Sequence, residues 1–178
     1  MYRGKKIYII SDTHFNHSRI ITHFGFRPYN FNDLIINKCN KILKNEDVLI
    51  NLGDVIWGNK EQLSYFNSSI PGTKILVKGN HDYKHSNTFF YNSGFSFVCD
   101  QITLGKCVLS HKPVIIREDQ INIHGHFHNM SQAHWEPELK AILTQNHYLF
   151  SLEKTKYAPV NLEHAVSNNL IQKTLDIK

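Results

Sequence analysis

The chain predicts an α/β fold on three observations. Short apolar runs alternate with amphipathic stretches up to residue 94, the first three apolar runs each end in a polar turn, and from residue 95 the spacing tightens to short runs divided only by turns. The alternation implies a parallel sheet with crossover helices. The tighter spacing implies a more antiparallel second half.

The first apolar run, "KKIYIISD", reads as a buried strand ending in a polar turn. "NFNDLIINKCNKIL" places Leu34, Ile35, Cys39, Ile42 and Leu43 on one helical stripe, with Asn32 or Asp33 able to cap it. "DVLINLGD" is a second strand, "NKEQLSYFNSSI" a second helix, and "TKILVKGNHD", after a Pro-Gly turn, a third strand. "SNTFFYNSG" is a short helix stopped by Gly94. "FSFVCD", "QITLG", "KCVLSHKP" and "INIHGHFH" then follow as strands with no helix between them. Residues 129–147 read as a loop with a short helix near Glu138–Leu143. "YLFSLEKT" is strand-like, and Asn161 could cap a final helix. With no repeat, low-complexity tract or linker, residues 1–178 read as one domain.

Bulk properties narrow the function. Hydrophobic residues make up 41% of the chain and charged residues 20%, as in a soluble globular protein. No apolar run approaches the roughly 18 residues of a membrane span. The opening "MYRGKKIYIISD" lacks the long apolar stretch of a secretory signal, so a cytoplasmic location is expected. Cys39, Cys99 and Cys107 show no metal-type spacing and read as free, mostly buried thiols. A net charge of +5 favours an anionic substrate, but the lysines are too scattered to mark a nucleic-acid surface. Twelve histidines make a metal site a serious expectation.

The histidines and acids fall where strands end: Asp12 and His14 after the first strand, Asp54 after the second, Asn80, His81 and Asp82 after the third, then His111, then His126 and His128. In open α/β sheets ligands bind beyond the carboxyl ends of strands, so clusters far apart in sequence should converge. Gly53, Gly79 and Gly125 each precede one of these residues, and a residue without Cβ permits sharp turns and close approach. Mixed oxygen and imidazole donors suit manganese, iron or zinc. They are too many for one tetrahedral ion and suit two ions sharing a carboxylate. "HGHFHN" also suggests the H-x-H-x-D-H run of metallo-β-lactamase-type enzymes, but His128 stands where that run has Asp, and the segment comes late in the chain.

The ordered set D-x-H (Asp12, His14), GD (Asp54), GNHD (Gly79 to Asp82), a separate His111 and GH-x-H (Gly125 to His128) resembles the calcineurin-like metallophosphoesterase superfamily. The resemblance spans residue 7 to about 128 and continues weakly into "YAPVNLEHA". "DTHF-x-H" followed by Arg27-Pro28-Tyr29 is similar to small stand-alone bacterial and phage-type members. It implies a four-layer α/β/β/α sandwich and two divalent transition-metal ions, Mn²⁺ first, with Fe, Zn, Ni or Co as alternatives. Asp12, His14, Asp54 and His128 would hold one ion, and Asp54, Asn80, His111 and His126 the other. His81 would be the general acid, with Asp82 orienting its ring. His124 is left without a ligand slot and is expected to be a packing or supporting residue.

The implied activity is phosphoester hydrolysis by in-line attack of a hydroxide shared by the two ions. The expected substrate is a small nucleotide diester; a phosphomonoester or a nucleic acid could use the same centre. A non-catalytic protein-interaction scaffold is the alternative of another class, against which the retained His81 argues. Asn16 and His17 are candidates to face the leaving group, and Arg27 is a candidate phosphate clamp. Phe15, Phe24, Phe26 and Tyr29 could stack on a base, although core packing is the commoner use of such residues. His23, His85, His134, His147 and His164 read as surface or packing residues.

Overall fold

A computed structural model of the protein describes residues 4–22 and 27–177. Strands β1 (Ile7–Ile10), β2 (Val48–Asn51), β3 (Thr73–Val77) and β4 (Phe97–Cys99) pair in parallel. Ile9, Ile10, Leu49, Ile50, Leu76 and Val77 are all buried, which is why these runs are continuously apolar rather than alternating. Helices α1 (Ser18–Thr22) and α2 (Phe31–Ile42) lie between β1 and β2, α3 (Lys60–Ser68) between β2 and β3, and α4 (Asn87–Asn92) between β3 and β4. A capping box starts α3: the Asn59 side chain accepts from the Gln62 amide, and Gln62 accepts from the Asn59 amide. Ser86 caps α4, and left-handed Gly94 (φ 99°) follows its end. At α2 the cap position is Asn30, which makes no side-chain cap bond; Asn32 instead donates to the Asn16 side chain.

The second sheet contains β5 (Gln101–Leu104), β6 (Cys107–Ser110), β7 (Ile121–His124) and β8 (His147–Leu149). The β5–β6 pair is the expected antiparallel hairpin, but β6, β7 and β8 run parallel, which corrects the antiparallel reading of this half. The β6–β7 link, residues 111–120, contains no helix, so the sign by which a parallel crossover is recognised is missing there. The β7–β8 link holds only α5 (Pro137–Ala141) and a 3-10 turn, Gln132–His134. Strand β9 (Val160–Asn161) closes antiparallel on β1, and β10 (Gln172–Lys173) on β8. The sheet orders are β4-β3-β2-β1-β9 and β10-β8-β7-β6-β5. The final helix expected after Asn161 is a 3-10 turn, Leu162–His164, with Asn161 accepting from the Glu163 amide. Left-handed Asn169 reverses the chain, and the Leu170 and Ile171 amides both return to the Ala165 carbonyl, so no longer helix forms.

One hydrophobic cluster joins the two sheets and the helices. It takes Ile35, Cys39, Leu63, Phe66 and Phe90 from α2, α3 and α4, and Leu109 and Ile123 from β6 and β7. A smaller cluster of Phe127, Trp135, Leu149 and Ile177, with Leu139 of α5 against it, covers the far side of the second sheet. The expected α/β/β/α layering is present, with a thin fourth layer. Among the described residues, no helix is long and apolar enough to cross a membrane.

Candidate metal centre

Five segments meet where parallel strands end: residues 11–17 after β1, 52–57 after β2, 78–82 after β3, His111 after β6 and 125–128 after β7. The backbone ties them together. The Asp12 amide donates to the Gly53 carbonyl, His14 to Asp54, and Phe15 to Val55, each at 2.9 Å. Asp12, His14, Asp54, His126 and His128 all have positive φ, between 45° and 72°. Left-handed backbone at non-glycine residues costs roughly 1 to 3 kcal/mol each and persists where function needs the side-chain placement. Gly79 and Gly125 leave the room this requires. A Cβ on Gly79 would overlap the Asp54 carboxylate, and one on Gly125 would overlap Ser11 Oγ and the Asp12 carboxylate.

Two groups of donor atoms result: Asp12, His14 and His128, and Asp54, His111 and His126. Asp12 Oδ2 accepts from Ser11 Oγ and the His126 amide, whereas its buried Oδ1 has no hydrogen bond among the described residues and stands 3.6 Å from His128 Nε2. Asp54 Oδ1 accepts from the His81 amide at 2.9 Å. Its Oδ2 lies 3.7 Å from His14 Nε2 and 3.4 Å from His111 Nε2, facing one imidazole of each group. His111 Nδ1 donates to the Leu52 carbonyl at 2.8 Å, since a carbonyl can only accept. Its Nε2 is turned inward, 3.0 Å from Asn80 Oδ1 and 3.2 Å from His126 Nδ1. Burial opposes charge on His111, but the hydrogen bond to Asp54 and the charges of Asp12 and Asp54 outweigh it and lift the ring to about 9. His14, dominated by burial and by neighbouring His128, is pushed well below the ordinary imidazole range. An orphaned carboxylate oxygen, inward-facing imidazoles and a demand for positive charge are what divalent ions satisfy, so the residues fit a two-ion centre.

The model of the calcineurin-like phosphoesterase family matches residues 5–168. The chain belongs to the calcineurin-like phosphoesterases. This is a hydrolase superfamily acting on phosphoester bonds, and membership together with the two donor groups supports a binuclear divalent metal centre. An uncharacterised protein of Methanocaldococcus jannaschii is 30% identical over 185 aligned residues, covering 95% of this chain and 93% of its own. A crystal structure of a protein of unknown function from Aquifex aeolicus aligns with a TM-score of 0.67 at 29% identity, covering 93% of this chain and all of its own. The nuclease MPE of Pseudomonas putida shares the fold at a TM-score of 0.50 and 16% identity, over 68% of this chain and 61% of its own.

Beside the donors this phosphoesterase has a cleft of about 350 Å³, lined by His17, Arg19, Ile20, Trp57, His81 and Met130 as well as by donors from both groups, His14 and His128, Asp54 and His126. The His81 ring is 44% exposed and stands edge-on to His14 and Trp57. His17 packs against Trp57 with ring centroids 4.7 Å apart. His124 is buried outside this group. Its Nε2 meets Thr174 Oγ1 and its Nδ1 the Gly125 carbonyl, both at 2.9 Å, and burial pushes it down to about 3.

Three expectations need correction. Arg27 does not face the cleft: its side chain is fully buried and donates to the Asp12 and Thr13 carbonyls and to Glu153. Asp82 does not turn to the His81 ring. Its carboxylate accepts from the backbone amides of Asp54, Val55 and Gly79, bracing two of the loops, and burial with the nearby Asp54 charge raises it to about 6. Asn16 pairs with the Asn32 amide and is absent from the cleft lining, which does include His17. Among the candidate stacking rings, Phe15 lies in the core against Phe66 and Tyr29 is exposed and absent from the cleft lining; Phe24 and Phe26, like His23, lie outside the described residues.

Glu136, Glu153, Trp57 and Arg19 surround the site but follow no ligand spacing. Glu153 had one available signal, a lone acid shortly after β8 ends at Leu149, but one acid after a strand is too common to single out.

Proposed function

We propose that this chain, acting as a single domain in the cytoplasm, hydrolyses the phosphodiester bond of a small nucleotide with two divalent transition-metal ions, Mn²⁺ foremost. The observation that carries the reading is Asp54 Oδ2 facing His14 of one donor group and His111 of the other within 3.7 Å. Asp12, His14, Asp54 and His128 would hold one ion, and Asp54, Asn80, His111 and His126 the other. Ions bound by these residues would supply Lewis acidity to the phosphoryl oxygens and would lower the pKa of water toward neutral.

The chain's own residues do the rest. His81 hands a proton to the departing oxygen, its position fixed by its backbone amide on Asp54 Oδ1. Arg19, whose guanidinium has no ion pair among the described residues, meets a phosphate oxygen. Trp57, Ile20 and Met130 form an apolar wall against which a base excludes water. The net charge of +5 favours such an anionic substrate, and the three free cysteines accord with a reducing compartment.

With Mn²⁺ present, bis-p-nitrophenyl phosphate should turn over faster than the monoester, and His81→Ala should slow the diester about 10²- to 10⁴-fold. A faster monoester would overturn the diester assignment. No cleavage of either ester, with His81→Ala unchanged, would move the protein to the scaffold reading. A panel of cyclic nucleotides, linear dinucleotides and short single-stranded DNA then separates a nucleotide diesterase from a nuclease.

A further inference from the structure

The histidine ligands proposed from the GH-x-H segment each have a second ring nitrogen, and what that nitrogen meets fixes which one faces an ion. His126 Nε2 is 2.8 Å from Glu136 Oε1. A carboxylate accepts, so Nε2 carries the hydrogen, and Nδ1 turns its lone pair toward His111 and the Asp54 group. His128 is turned the other way: Nε2 faces Asp12 Oδ1, while Nδ1 is buried without a hydrogen bond among the described residues, 3.7 Å from Glu153 Oε1. Each carboxylate is backed in turn by a cation. Lys112 Nζ is 3.0 Å from Glu136 Oε1, and Arg27 Nε is 2.8 Å from Glu153 Oε1. Ser151 Oγ holds the other oxygen of Glu153 at 2.9 Å.

We propose that Glu136 and Glu153 are positioning residues of the two ion sites: Lys112–Glu136 sets His126 to bind through Nδ1, and Arg27–Glu153 sets His128 to bind through Nε2. The inference rests on the two-ion reading above. It assigns a role to residues 129–147, which bring Glu136, the N-cap of α5, to the centre although that stretch has no part in the ordered signature. It also gives Arg27 its use, behind the centre rather than on the substrate. A carboxylate on the outer nitrogen fixes the tautomer and ring angle of a histidine ligand and raises its basicity; losing it costs about 10- to 100-fold in metal affinity. The two supports differ in setting. The Glu153 side chain is only 8% exposed, whereas that of Glu136 is 35% exposed, so Glu136→Gln removes the charge without disturbing the core.

The full-length protein, stripped of metal, is titrated with Mn²⁺ by calorimetry and by metal analysis, as wild type, Glu136→Gln, Glu136→Ala and Glu153→Gln. Wild type should take two ions. Glu136→Gln should bind one ion as wild type does and the other about 10- to 100-fold more weakly, with an unchanged melting temperature before metal is added. Glu153→Gln should weaken the other ion; because the Glu153 side chain is little exposed and its loss also disturbs folding, the more exposed Glu136 variants are the decisive ones. A two-ion wild type whose Glu136→Gln and Glu136→Ala variants bind both ions as tightly overturns this proposal alone. A wild type holding fewer than two ions overturns the two-ion reading, and this proposal with it.

Discussion

Three histidines at alternate positions, His124, His126 and His128, have different neighbours and therefore different uses. His124 spends both nitrogens on Thr174 and the Gly125 carbonyl within the protein, so His124→Ala should leave metal binding intact. It should cost about 2 to 4 kcal/mol from the cavity and the unpaired groups left behind, read as a lower denaturant midpoint. His126→Ala should lose an ion. Arg27 and Arg19 divide in the same way. Arg27→Ala takes the cation from the little-exposed Glu153 and should destabilise by about 3 to 5 kcal/mol. Arg19→Ala should raise KM for a nucleotide diester while metal stoichiometry and melting temperature stay unchanged. The donor residues are legible in the sequence because each is tied to a strand end in a fixed order. Arg27 is not, because a rigid fork suits phosphate and backbone carbonyls equally well, and only burial decides between them. The role of Asp82 is hidden too, because its neighbour in sequence, His81, is not its partner in the fold.

The strand-end turns and the helices behind them are the elements that hold the site. Gly79 has no left-handed requirement, yet a Cβ there would strike the Asp54 carboxylate and amide. Gly79→Ala should therefore cost about 1 to 3 kcal/mol by overpacking and reduce Mn²⁺ uptake, seen by metal analysis of the purified variant. Cys39 of α2 lies in the core and Cys107 is partly covered on β6; burial pushes both thiols up to about 12 from an ordinary 9.0. The unfolded chain then loses these protons first, so their stabilising contribution is complete below pH 9 and falls as pH rises toward 12. Denaturant midpoints at about pH 8 and about pH 10 should differ less in Cys39→Ala than in wild type. Strands β1 to β3 with α2, α3 and α4 are readable from alternation alone, whereas the short α1 carries no such signal and β4, which reads as part of the antiparallel half, pairs parallel with β3. The β6–β7 link is not, because a stretch without a helix looks like a hairpin connection until the pairing is known. The short 3-10 turn after Asn161 reads as a helix because its cap is real, but Asn169 turns the chain back.

At the scale of the whole molecule, two sheets pack face to face so that five parallel strands send their ends to one edge, and that edge collects the donors. The layering and the site's position follow from the ordered motifs. The two carboxylates behind His126 and His128 do not, since Glu136 and Glu153 come from stretches with no spacing signal and reach the centre only through the thin fourth layer and the turn after β8. Metal analysis after Mn²⁺ loading and desalting reads whether Asp54 joins two ions into one centre. Wild type should retain close to two ions per chain, and Asp54→Asn should lose most of them. One ion in wild type, or unchanged binding in Asp54→Asn, would contradict it.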